Sequence, residues 1–122
     1  MCNKNSTHFP CPACGFFSFD EPPGSYAICK LCGWEDDHVQ LTYPEITIGA
    51  NRQSLADAQK GAIKLFPLDV KEYKGIKRDP DWRLWKTEDR NAESQSPLSG
   101  LDYFEEATKA STGYYWRDYT YR

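Results

Sequence analysis

Two Cys-x-x-Cys pairs, Cys11-Pro12-Ala13-Cys14 and Cys29-Lys30-Leu31-Cys32, stand fourteen residues apart in a chain of 122. Two residues between cysteines let a tight turn aim both sulfurs at one point. Gly15 and Gly33 follow directly after the pairs, and glycine leaves such a turn with positive φ at little steric cost. The gap falls just under the common two-knuckle interval of roughly 15–20 residues. Between the pairs, "FFSF" (Phe16–Phe19) and "SYAI" (Ser25–Ile28) are β-prone runs, and "DEPPG" between them is turn-forming. Residues 9–34 therefore read as a zinc ribbon: a hairpin that brings Cys11, Cys14, Cys29 and Cys32 around one tetrahedral zinc ion.

Other uses of paired cysteines fit less well. A thioredoxin-like redox motif needs one pair at a helix start. Disulfides belong to an oxidising compartment, and the N-terminus "MCNKNSTHFP" has no apolar run of a secretory signal. The cytosol is the expected compartment. An iron centre would use the same four thiolates, and spacing does not separate it from zinc. His8 and His38 flank the site, but four thiolates already close it, so both read as surface or outer-shell residues. Cys2 has no partner and reads as a free thiol. A closed all-cysteine site is structural, because catalytic zinc keeps a position open for water. One structural Zn2+ is the expected cofactor, a cross-link in a module too small to fold alone.

The rest of the chain supports one α+β domain over 1–122. "SLADAQKGAIKLF" places Leu55, Ala58, Ala62, Leu65 and Phe66 on one helical face. Ser54 is its N-cap, with Asp57 three residues on as a capping-box variant. Pro67 stops it, so a helix is expected over 52–67, laid across the ribbon. "WEDDHVQLTYPEITIGAN" alternates weakly, and Val39, Leu41 and Tyr43 suit one face of a short strand that Pro44 limits. Residues 70–80 read as a loop or a short turn of helix. Lys71, Lys74, Lys77 and Arg78 there read as a solvated basic face. Residues 81–122 form an aromatic-rich C-terminal extension. Leu101–Ala110 suits a second helix, and Tyr115, Tyr119 and Tyr121 suit one face of a short C-terminal strand.

Charge narrows the function. Net charge is −3, and residues 1–50 hold six acids against two bases. A nucleic-acid binder usually shows a basic face. Glu35, Asp36 and Asp37 follow the second pair directly. They cap turns in one reading and form an acidic face toward a basic partner in the other. Aromatic residues make up 15% of the chain, and amphipathic aromatics are favoured at protein interfaces. The candidate partner-binding residues are Glu35, Asp36, Asp37, Trp82, Trp85, Tyr115, Trp116 and Tyr119.

"CPACG", "GSYAICKLC", "WEDD" and "NRQSLADA" occur in this order. The order resembles the bacterial cysteine-rich CPCC family, whose pattern runs Cys-Pro-Cys-Cys-Gly, Gly-Ser-Tyr-x-Ile-Cys-x-x-Cys, Trp-Glu-Asp-Asp and Asn-x-x-Ser-Leu-x-x-Ala. The resemblance covers about residues 8–80. The chain departs from it at Ala13, where the family has a cysteine, which supports Cys11 and Cys14 as the ligands. The family has no firmly assigned activity. Some members lie beside secreted bacterial toxins, and this implies an immunity protein. The expectation is a small cytoplasmic zinc-binding protein that binds a protein partner, most concretely a toxin that it occludes. The alternative is a nucleic-acid-binding zinc ribbon, with Trp82, Trp85 and the tyrosines stacking on bases. No nucleophile–base pair, phosphate loop or open metal site suggests an enzyme, and no membrane association is expected.

Overall fold

Cys11, Cys14 and Cys29 lie inside the hydrophobic core of the computed structural model, with Cys32 packed against it; the structure describes residues 8–89, 105 and 114–116. Five short elements frame them. Helix α1 is His38–Thr42 and helix α2 is Leu55–Leu65. Strands β1 (Glu72–Tyr73) and β2 (Ile76–Lys77) pair antiparallel, and Thr87–Asp89 forms a 3-10 turn. Most of the remaining order comes from single bridges and side-chain hydrogen bonds to backbone.

The anticipated hairpin between Phe16–Phe19 and Ser25–Ile28 is replaced by two smaller ones. Phe9 bridges Phe19 around the first pair, and Ile28 bridges Glu35 around the second. Phe16 bridges Arg78 instead, far along the chain. Each run of β-prone residues thus finds its partner across its own cysteine turn or in the segment after α2.

Residues 38–42 are helical rather than extended. Asp37 is the reason: its carboxylate accepts from the backbone N–H groups of Val39 and Gln40, the capping that starts a helix. Its other oxygen accepts from Ala50 N–H at 2.9 Å. The Gln40 amide then donates to the carbonyls of Ile46, Asn51 and Gln53. Asn51 closes the network, donating to Glu35 O and accepting from Glu35 N–H. Polar side chains here do the work of a ladder. They satisfy an irregular, buried backbone that would otherwise be costly. Val39 and Ile46 fill a small apolar cluster of their own.

Helix α2 matches its sequence signals at the start. Ser54 Oγ accepts from Asp57 N–H, and the helix ends one residue before Phe66 and two before Pro67. Its buried face is Leu55, Ala58, Gln59 and Ala62, with Phe66 just beyond. Leu65, expected on that face, is 66% exposed.

After α2 the chain makes a two-residue hairpin. Lys74 (φ 51°) and Gly75 (φ 82°) both take positive φ, as the turn that matches strand twist requires. The return strand delivers Arg78 into the core, where it is 6% exposed. The basic face expected at 71–78 therefore lacks this member. Arg78 is drawn in because carbonyl oxygens of four residues converge on it.

Of the helix anticipated over Leu101–Ala110, only Glu105 is described, in helical conformation. Tyr115 and Trp116 sit in a turn, and the rest of the expected C-terminal strand lies outside the described residues. No helix among the described residues is long and apolar enough to cross a membrane.

Candidate metal centre

The two cysteine turns are near copies. Gly15 N–H donates to Cys11 O at 2.6 Å, and Gly33 N–H to Cys29 O at 2.9 Å. Both glycines take positive φ, 84° and 86°. Cys11 N–H then bonds Phe16 O, and Cys29 N–H bonds Trp34 O. Phe16 and Trp34, the residues after each glycine, are both buried in the core. Local sequence, Cys-x-x-Cys-Gly-aromatic, thus builds the same turn twice, and hydrophobic packing brings the turns face to face.

The sulfurs meet at metal-binding geometry. All four Sγ atoms lie within 4.8 Å of one another. Cys11 and Cys32 are 3.7 Å apart, Cys14 and Cys29 3.8 Å. A tetrahedron with metal–sulfur bonds of about 2.3 Å has edges of about 3.8 Å. A disulfide would need about 2.05 Å, and all four cysteines are free. The residues therefore fit a tetrahedral ion, and these four cysteines could hold one.

The surroundings favour a bound cation. Burial pushes the Cys11 thiol well up, and its hydrogen bonds with the three neighbouring cysteines push it further. Cys29 goes the other way, lowered by hydrogen bonds from Cys11, Cys14 and Cys32 and more weakly from Ser18. A divalent ion held there would supply the positive charge that favours thiolates at all four positions. Ser18 Oγ lies 3.0 Å from Cys29 Sγ, and the Leu31 and Cys32 N–H groups point at the same sulfur.

The other residues singled out from sequence are placed differently from one another. Asp36 and Asp37 are buried, at 2% and 1% exposure. Asp36 accepts from the Ser25 N–H and hydroxyl, and Asp37 caps α1. They are interior turn-fixing groups, not an acidic face. Glu35 is half-buried, and its backbone is held by Asn51. Trp82 and Trp116 are also core residues: Trp82 Nε1 donates to Pro12 O and Trp116 Nε1 to Asp79 Oδ2. Tyr115 is half-buried between Gln59 and the Arg83 carbonyl, which accepts its hydroxyl proton. Trp85 is half-buried and lines a shallow groove beside α2. Tyr119 and Cys2 lie outside the described residues. His8 approaches Asp20 on the surface, and His38 is the buried first residue of α1. Neither belongs to the cysteine cluster.

Three residues around the centre were not singled out as site residues: Ser18, Gln59 and Arg78. Gln59 is 1% exposed and donates to Pro12 O within the first cysteine turn. Its position on the same helical face as Leu55 and Ala62 was the available signal.

A four-cysteine cluster formed by two facing turns, wrapped by helices and a small hairpin, defines a small α+β protein built around a cluster that could hold a metal ion. A family model described as Cysteine-rich CPCC matches residues 9–77. The chain belongs to that family. The match spans both cysteine turns, both helices and the hairpin. No match was found among curated proteins.

Proposed function

We propose that this protein is a zinc-stabilised binding module that acts on another protein and not as a catalyst. The observation that carries this is the closure of the metal centre. Cys11 and Cys14 are fully buried, Cys29 is 2% exposed and Cys32 is half-buried. Four thiolates complete a tetrahedral shell, so a bound ion has no position left for a substrate. Zinc is the preferred ion because it needs no redox partner and suits a structural tetrathiolate. Metal analysis of protein purified under reducing conditions tests this. One zinc per chain is expected, and one iron would replace the assignment. Stripping the ion with a chelator should abolish near-UV circular dichroism, since the cysteines sit among the core aromatics. A stripped chain that keeps its tertiary signal would sink the structural role.

The more specific reading is a cytoplasmic immunity protein that occludes a bacterial toxin. Family resemblance and a small acidic chain support it. An acidic face at 35–37 does not add to it, because Asp36 and Asp37 are interior. Buried Trp82 is not placed to stack on bases, which weighs against the nucleic-acid alternative. Trp85 and the exposed Leu65, Leu68 and Tyr73 are better contact candidates. A tagged pull-down from the native cell tests the reading. Recovery of one stoichiometric protein is expected, and recovery of nucleic acid alone would reverse it.

A further inference from the structure

Arg78 is a buried cation without a carboxylate partner among the described residues. The residue is 6% exposed, and none of the ion pairs among the described residues includes it. Every acceptor it meets is a neutral carbonyl. Nε donates to Cys14 O at 2.8 Å, Nη1 to Pro67 O at 2.7 Å and Val70 O at 3.1 Å, and Nη2 to Phe66 O at 2.9 Å. The rings of Phe16 and Trp82 lie 4.7 and 5.0 Å from its Cζ. Carbonyl dipoles and aromatic faces soften a buried charge, but an uncompensated one is costly. The charge that acts on it comes from Cys14, a member of a cluster that is formally a dianion once four thiolates hold a divalent ion.

The same residue fastens the first cysteine turn. Cys14 O accepts from Arg78, Gly15 O from Asp79 N–H, and Pro12 O from Gln59 and Trp82. The second turn is more exposed, at Lys30, Gly33 and Cys32, and its outer support is Ser18 at the Cys29 sulfur. Side-chain bonds to backbone carbonyls fall instead on the first turn.

We propose that Arg78 is the positioning residue of the metal centre, fixing the first cysteine turn through the Cys14 carbonyl and supplying the buried positive charge that balances the loaded tetrathiolate. The inference rests on the metal-binding reading above. Outer-shell partners of metal ligands are typically worth about 10–100-fold in affinity.

The test compares zinc affinity of the full chain, by competition with a chromophoric chelator, in Arg78→Met, Arg78→Lys and Val39→Ala. Val39 packs in the separate small cluster with Ile46, so V39A destabilises the fold away from the centre. R78M is expected to weaken zinc binding about 10–100-fold, and more than V39A does per degree of Tm lost. R78K, which keeps the charge without the planar fork, should recover part of the loss. The thiolate-to-cobalt charge-transfer band of the cobalt-loaded chain should shift in R78M and not in V39A. An affinity loss no greater than that of V39A, or an unchanged band, overturns the assignment. If R78M is not recovered folded, R78K against V39A decides by the same criteria. A wild-type chain that binds neither zinc nor cobalt would remove the metal reading itself, and the role of Arg78 with it.

Discussion

The ring of Trp82 occupies the space that a side chain at residue 15 would need. A Cβ on Gly15 would stand 2.5 Å from Trp82 Cδ2, closer than real Cβ contacts come. A Cβ on Gly33, in the equivalent position of the second turn, would meet nothing within 4 Å. Both glycines have positive φ, near 85°, where an L side chain costs about 1–2 kcal/mol. Gly33→Ala should cost that much and no more. Gly15→Ala should cost clearly more, because the ring must move and its bond to Pro12 O with it. Thermal unfolding of the two metal-loaded variants checks the difference, and equal losses would count against it.

Asp37 and Glu35 should separate in the same way. Asp37 holds the N–H groups of Val39, Gln40 and Ala50. Removing it leaves buried donors unpaired, at about 1–3 kcal/mol. Asp37→Ala is therefore strongly destabilising. Glu35 contributes through its backbone to Asn51, so Glu35→Ala should stay within about 0.5 kcal/mol. Denaturant titration distinguishes these outcomes. Comparable losses would show that the acids act as a charged group.

Asp36 supplies a pH signature. Burial raises its carboxyl pKa, the two bonds from Ser25 work against this, and the Asp37 charge adds to it. Between the unfolded value of about 3.9 and the raised folded value, the native state holds more protons than the unfolded state. Stability then falls as pH rises through that window. Asp36→Asn removes the ionisation and keeps an acceptor for Ser25. Its Tm relative to wild type should climb from about pH 4 toward neutrality. A difference that does not vary with pH would contradict the shift.

Trp82 and Trp85 are three residues apart and were equal candidates for a partner surface. Trp82 is buried with its indole bonded to Pro12 O. Trp82→Ala should cost about 3–5 kcal/mol as a core truncation. Trp85 is half-buried, and its bond to Gln59 comes from its backbone N–H. Trp85→Ala should cost about 1 kcal/mol and leave a folded chain. Loss of partner capture in that variant would place the interface beside α2. Full capture would move the search to Leu65, Leu68 and Tyr73.

Local chemistry decided what the sequence made legible. Cys-x-x-Cys-Gly sets its own turn, so the four cysteines and the positive φ of Gly15 and Gly33 follow from spacing alone. Ser54 caps α2 and Pro67 follows its end by rules that act within one helical turn. The illegible parts depend on partners distant in the chain. Alternating "HVQLT" suits a strand by pattern, yet it winds into α1 because Asp37 caps it, with Asp37 held by Ala50 and Gln40 by the carbonyls at 46, 51 and 53. Asp36 and Asp37 look like surface acids until Ser25 and Ala50 fold back onto them. Arg78 reads as one base among four. Only the tertiary structure, which closes the Cys14, Phe66, Pro67 and Val70 carbonyls around one point, makes it the core cation beside the cysteine cluster.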